Sequence, residues 1–232
     1  MTLGRQFTID LVTFDLAGTT IEDEGMVEKA FMDAFAEHGI GGHEDELLPY
    51  RGSAKRPIIK AMIDRHCPDA APELADRAMG SFERNLWRLI DEIARPMHGA
   101  NETFAWLEER GIRVGVTTGF DTPTTRRILA KFGWDQGLVE TVCCSDQVPE
   151  SRPAPWMIFE CMKALDIHEP RRVMAVGDTP RDLQAGTRAG CGGVVGVLSG
   201  SHDAVSLGRH RHTHLIQSVA DLPELMEREF TS

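Results

Sequence analysis

The chain has 232 residues, 41% of them apolar, with 25 Lys+Arg against 36 Asp+Glu and a formal net charge of -11. That length buries a sizeable core, as one large domain or a core with an insertion, and the acidic surface repels nucleic-acid phosphate and anionic membrane. No apolar stretch is long enough to span a bilayer and no signal peptide is visible, while five cysteines without paired spacing read as reduced thiols in cytoplasm.

The first element is the apolar run "TIDLVTF" (8–14), closed by Asp15. From 21 to 97 the pattern turns helical: "GMVEKAFMDAFAEHG" (25–39), "KRPIIKAMIDRH" (55–66) and a long segment from about Glu73 to Ala94. In the last, Ala75, Met79, Phe82, Leu86, Ile90 and Ile93 recur at helical spacing and are expected on its packed face. The acidic run "EDELL" (44–48) reads as a solvated helix face. After "ARPMHGA" (94–100) come further apolar runs, "IRVGVT" (112–117), "RVMAVG" (172–177) and "GVVGVL" (193–198), each followed by a turn and a helical pattern. Continuous apolar runs alternating with helices predict a parallel sheet covered on both faces. The expected fold is α/β: a Rossmann-like, three-layer α/β/α core from 1–20 and 98–232, with a helical cap, 21–97, inserted. His210, His212 and His214 alternate, as on one face of a strand, but lack a carboxylate or cysteine partner nearby and read as an exposed edge. "GCGGVVG" (190–196) lacks the dinucleotide-binding spacing.

Ligands of open α/β sheets sit beyond the carboxyl ends of the strands. Four polar islands are expected there: Asp15, Thr117-Thr118-Gly119, Ser151-Arg152-Pro153, and Gly177-Asp178 through Asp182. Each has a bland reading. Asp15 can cap a turn, Thr117 can satisfy backbone, Arg152 can be a surface charge, and Asp182 suits the first turn of a helix after Thr179. Together they suit phosphoryl transfer. A carboxylate can attack phosphorus and form an aspartyl-phosphate. Asp15 and Asp178 held close repel one another unless a cation lies between them, and an all-oxygen site favours Mg²⁺. Thr117, Thr118, the backbone N–H groups near Gly119, and Arg152 supply donors to the phosphoryl oxygens.

"DLAGT", "VTTG", "SRPAP" and "GDTPRD" resemble, in order, the four motifs of the haloacid dehalogenase superfamily. The resemblance implies that Asp15, the Ala17 carbonyl and Asp178 bind Mg²⁺, with Asp182 acting through water. Phosphatases of that superfamily usually carry a second aspartate two residues after the nucleophile; here that residue is Ala17. "DLAGTT" with "GVTTGF" and "RPAPWM" is similar instead to the phosphonatase (phosphonoacetaldehyde hydrolase) branch, in which a cap lysine forms an imine with an aldehyde substrate. Lys55 in "RGSAK" falls at the matching spacing. The chemistry agrees, because a C–P bond offers no leaving oxygen to protonate and needs an electron sink on carbon. In that branch a methionine precedes the cap glycine and a histidine follows three residues after the lysine, whereas Arg51 and Ile58 stand there. Two roles are therefore open for Lys55, imine formation and plain binding of an anion. A small phosphonate or phosphate is the expected substrate, with phosphomonoester hydrolysis of the phosphoglycolate-phosphatase type as the alternative. The resemblance also implies a homodimer through the cap.

Overall fold

The computed structural model describes residues 8–50 and 53–231. Six strands form one sheet: β1 (Leu11–Phe14), β2 (Arg113–Thr118), β3 (Thr141–Cys144), β4 (Val173–Gly177), β5 (Gly193–Val197) and β6 (His214–Ile216). Their order is β3-β2-β1-β4-β5-β6 and every pairing is parallel, with Leu11 level with both Arg113 and Val173. Side chains alternate across such a sheet. Leu11 faces a cluster with Met157, Cys161 and Ala185, while Val12 and Phe14 face Phe104 and Leu107 on the other side. The first cluster belongs to α6 (Trp156–Ala164) and α7 (Pro180–Ala189). Opposite them lie α4 (Ala100–Glu109) and α8 (Leu222–Glu229), with Phe104 bridging Phe14 and Trp134 at ring separations of 5.1 Å each. Both faces are covered, which is why the strands read as unbroken apolar runs.

Between β1 and α4 lie α1 (Met26–Glu37), α2 (Lys55–His66) and α3 (Leu74–Ile93), the helices of a cap. Helices α1 and α3 pack through Phe31 stacked on Phe82 at 4.2 Å. The chain enters and leaves this unit side by side. Glu22 N–H donates to Arg95 (3.0 Å) and Met97 N–H to Thr20 (2.8 Å), so the two linkers are tied together. Helix α5 (Thr122–Phe132) of the core reaches across to α3: the Trp87 indole donates to Thr124 Oγ1 (2.9 Å), and Arg127 pairs with Asp91.

The buried face of α3 is offset from the expected stripe. Phe82, Leu86 and Ile90 are buried as expected, with Leu74, Ala78 and Leu89, but Ala75, Met79 and Ile93 are only half-buried. The physical reason for Met79 is that it borders an open cleft between cap and core. Strand β3, only four residues long, was not distinguishable as an apolar run. The acidic run 44–48 lies in a 3₁₀ turn, Glu44–Tyr50. The alternating histidines take separate partners: His210 meets Gln184 (3.2 Å), His212 its own backbone at His210 (2.7 Å), and His214 the Phe230 ring. All five cysteines are free thiols, and no helix among the described residues is long and apolar enough to cross a membrane.

Candidate active site

Asp15 follows directly on β1, and its backbone N–H still pairs with Val176 of β4 (3.0 Å). The chain then folds back in a tight loop. Thr19, Thr20 and Ile21 N–H groups all donate to the Leu16 carbonyl, and Thr20 Oγ1 donates to the Asp15 carbonyl (2.9 Å). Gly18 closes this loop at φ +77°, where a Cβ would lie 2.7 Å from the Asp178 carboxylate. Two separate reasons, backbone strain and lack of room, thus demand glycine there.

Asp178 comes off β4, the strand paired with β1, so the strand order delivers both carboxylates to one place. Oδ2 of Asp178 accepts from Ser201 N–H and Oγ, both at 2.7 Å, and Oδ1 accepts from Thr19 Oγ1 at 3.4 Å. Asp182 stands in the first turn of α7, where Thr179 and Asp182 form a capping box. Its Oδ2 accepts from Thr179 N–H (3.0 Å) and Oγ1 (2.5 Å). Asp15, Asp178 and Asp182 are all buried, each with a carboxylate oxygen within 4.8 Å of the others'.

Arg152 arrives from the loop between β3 and α6, not directly off a strand end. It is 5% exposed, and its guanidinium bridges Asp15 (3.0 Å) and Asp182. Its Nε has no acceptor among the described residues, which leaves one buried donor for a ligand. One guanidinium shared by two carboxylates does not balance three. Desolvation raises Asp15 to about 6 against the pull of Arg152, and desolvation with the charges of Asp15 and Asp182 raises Asp178 to about 7. Burial acts to lower the Arg152 pKa, but its two carboxylate partners outweigh that and raise it. Three oxygen ligands with a surplus of buried negative charge fit a hard divalent cation.

The space above Asp15 is small, about 40 Å³, room for only a few atoms on the scale of roughly 10–15 Å³ per water. Ala17, Thr118, Gly119, Arg152 and Asp178 line it from the core, and Lys55 lines it from the cap. Lys55 is half-buried at the first residue of α2, with Nζ 5.0 Å from the centre of the Phe120 ring. Desolvation lowers its pKa, Asp15 opposing and Arg152 reinforcing the shift. Thr117 is buried but faces a second small space under Arg152 and Asp182, and not the space above Asp15. Ile58 is buried in α2, and Arg51 lies outside the described residues.

The chain belongs to the haloacid dehalogenase-like hydrolases. The family model for haloacid dehalogenase-like hydrolase matches residues 9–190. Within that family it lies in the phosphonoacetaldehyde-hydrolase-like branch. Phosphonoacetaldehyde hydrolases of Bacillus thuringiensis (strain Al Hakam) and Bacillus anthracis are each 33% identical over 211 residues, covering 84% of this chain and 78% of theirs. The fold matches that of a phosphonoacetaldehyde hydrolase-like protein from Oleispira antarctica, with TM-score 0.83, 21% identity, and coverage of 98% of this chain and 95% of that one. A predicted phosphoglycolate phosphatase of Haemophilus somnus gives TM-score 0.83 at 21% identity, covering 94% and 98%. The aspartate cluster of this hydrolase is consistent with metal-assisted chemistry through an aspartyl-phosphate.

Three further polar residues, outside every motif of the sequence, line the same space: Asp23, Glu28 and Ser201. Glu28 carried a signal. It lies on the buried stripe of α1 with Phe31 and Phe35, where a carboxylate does not belong unless it faces something polar. Ser201 gave none, because the loop after β5 is brought to Asp178 only by folding.

Arg152 supports a stability prediction. Removing it leaves Asp15 and Asp182 facing each other without a cation, and breaking a buried pair costs about 3–5 kcal/mol. Arg152→Ala is expected to melt well below wild type in metal-free buffer, with Arg152→Lys intermediate and both losing activity. An unchanged melting temperature in Arg152→Ala would mean that the two ion pairs contribute nothing net.

Proposed function

We propose that this hydrolase is a Mg²⁺-dependent phosphonatase-like enzyme that cleaves a small phosphonate, with residues 21–97 acting as a cap over a core of 1–20 and 98–232. The observation that carries the reading is the pairing of Ala17 with Lys55 across one small space. The residue two positions after the nucleophile can move no proton, while a desolvated amine faces it from the cap. In this reading the Lys55 amine condenses with the substrate aldehyde, releasing water and leaving a protonated imine. An Asp15 carboxylate oxygen attacks phosphorus, the C–P bond breaks, and its electron pair passes into the imine to give an enamine. Water then hydrolyses the aspartyl-phosphate, and protonation of the enamine followed by hydrolysis frees the aldehyde and Lys55. Arg152, Thr118 and the backbone at Gly119 hold the phosphoryl oxygens, and Thr117 supports them from below. Asp15, the Ala17 carbonyl, Asp178 and Asp182 would hold Mg²⁺, which supplies charge neutralisation between nucleophile and anionic substrate. Ser201 and Thr19 orient Asp178. Asp182 orients Arg152.

A second reading is favoured by a specific feature. Asp23 and Glu28 line the space beside Lys55, and either carboxyl can protonate a leaving ester oxygen in place of the acid missing at Ala17. That arrangement suits a phosphomonoesterase. A Mg²⁺-supplemented phosphate-release screen of aldehyde phosphonates beside phosphomonoesters separates the two. Release from aldehyde phosphonates as a class, with phosphomonoesters slow, is expected; release from phosphomonoesters alone would move the second reading to first place.

Cation binding should leave a trace in stability. A carboxyl whose folded pKa is raised from 3.8 to about 6 or 7 favours the fold at low pH and loses that contribution as pH rises through the raised value. Metal-free protein is therefore expected to lose stability from about pH 4 to about pH 7, and to be less stable at pH 8 than at pH 5. Mg²⁺ competes with those protons and should restore it, with a larger rise in melting temperature at pH 8 than at pH 5. Equal shifts at both pH values, or none, would count against Asp15 and Asp178 as ligands.

A further inference from the structure

We propose that the cleft between cap and core holds the carbon tail of the substrate, and that this tail is apolar, longer than a two-carbon unit, and free of a second anionic group. The inference rests on the phosphoryl reading of the Asp15 site and goes on to the class of molecule that site accepts.

Two spaces adjoin at Lys55. The one above Asp15 holds about 40 Å³, and the second, between α2, α3 and the start of α5, holds about 390 Å³. Lys55, Gly119 and Phe120 line both, so the ammonium over the Phe120 ring marks the passage between them. The smaller space accommodates a phosphoryl group and little more. The larger is of the size that ordinary small-molecule sites have, from roughly 300 Å³ upward. A substrate as short as a two-carbon aldehyde would leave it without a role.

Its walls define what fits. Met79, Phe82 and Leu86 on α3 and Phe120 on the core side present apolar surface across the cleft. The offset of the α3 stripe now has a meaning, since Met79 is half-buried on the face that borders this cleft. The charges at the rim are mainly carboxylates: Glu83, Asp121 and Asp146. Asp121 and Asp146 are occupied by backbone N–H groups of Thr124 and Thr122. Glu83 makes no hydrogen bond or ion pair to a described residue, and desolvation followed by the nearby Asp121 charge raises its pKa. Of the cations bordering the cleft, Arg56 is paired with Asp76 and Lys55 also faces Asp15. A second phosphate or carboxylate entering here would meet Glu83, and the nearest cation, Arg56, is already shared between Asp76 and the charge of Glu83 itself. An alkyl chain meets no such penalty, and each buried methylene gains by leaving water.

The test uses n-alkylphosphonates, which carry the phosphoryl head and cannot be cleaved by either route. Calorimetry of the whole protein in Mg²⁺ buffer, from methyl- to pentylphosphonate, is expected to show Kd falling about fourfold per methylene. Met79→Trp and Ala54→Phe, both placed in the wall of the cleft, should flatten that trend while leaving methylphosphonate binding within about twofold of wild type. Circular dichroism checks that each variant is folded, and either variant alone suffices. 4-Carboxybutylphosphonate should bind at least about tenfold more weakly than pentylphosphonate, and Glu83→Gln should narrow that gap. A Kd independent of chain length, or a trend that survives in a folded blocking variant, overturns the tail site. Tight binding of the carboxylated analogue overturns the charge preference. If short substrates release phosphate while chain length has no effect, the tail proposal falls alone. If no phosphonate binds, it falls together with the phosphoryl reading.

Discussion

Asp15→Asn is expected to abolish phosphate release, by at least about 10⁴-fold, while leaving the protein folded; that is the scale on which loss of a member of a catalytic unit is felt. The amide keeps the shape of the carboxyl and its place after β1, but it has no charge to attack phosphorus with. The structure makes the control unusually clean. Asp15 is 4% exposed and desolvation raises its pKa to about 6 without a cation, so above that pH it is ionised at a cost to the fold. Asparagine has no such dependence. Metal-free Asp15→Asn should therefore melt at the same temperature as wild type or higher at pH 8, with Arg152 still paired to Asp182. Turnover of the order of wild type would falsify the nucleophile assignment. A large loss of both activity and melting temperature would instead make Asp15 a structural residue.

Lys55 carries the second large effect. With an aldehyde phosphonate, borohydride should trap a covalent adduct on the peptide containing "GSAK", read by mass spectrometry. Lys55→Arg keeps the charge and cannot form an imine, and it is expected to lose C–P cleavage by about 10⁴-fold or more. The pH profile adds an independent readout. Imine formation needs the neutral amine, and desolvation lowers the Lys55 pKa, so cleavage should set in at lower pH than an exposed lysine permits. Fast cleavage by Lys55→Arg, with no adduct on any active substrate, would end the imine route. Lys55 would then recruit the anion, and Asp23 or Glu28 would be the groups to substitute next.

Some of this was legible in the sequence for definite physical reasons. A parallel strand covered on both faces must be a continuous apolar run, so a polar residue at its end stands out, as Asp15 does after β1 and Asp178 after β4. Helix α2 begins at Lys55 and ends at His66, the limits its sequence pattern suggests. Local capping was readable too, and Thr179 with Asp182 forms the expected first turn of α7. These features depend on neighbours a few residues apart along the chain.

What depends on distant parts of the chain was decided only by tertiary structure. That Asp15 and Asp178 share one site follows from β1 pairing with β4, an adjacency between strands far apart in sequence. Arg152 was visible as a cation, but its burial between Asp15 and Asp182 was not, and that burial makes it part of the electrostatic balance of the site as well as a donor. Thr117 and Thr118 read alike in the sequence, yet alternation across β2 sends only Thr118 into the space above Asp15. Asp23, Glu28 and Ser201 joined the site because loops and cap close over it. The cleft beside Lys55 belongs to no local pattern: it is the space left where α2, α3 and the start of α5 fail to touch. Sequence periodicity reports which face of an element is buried, and it carries no record of the gaps between elements.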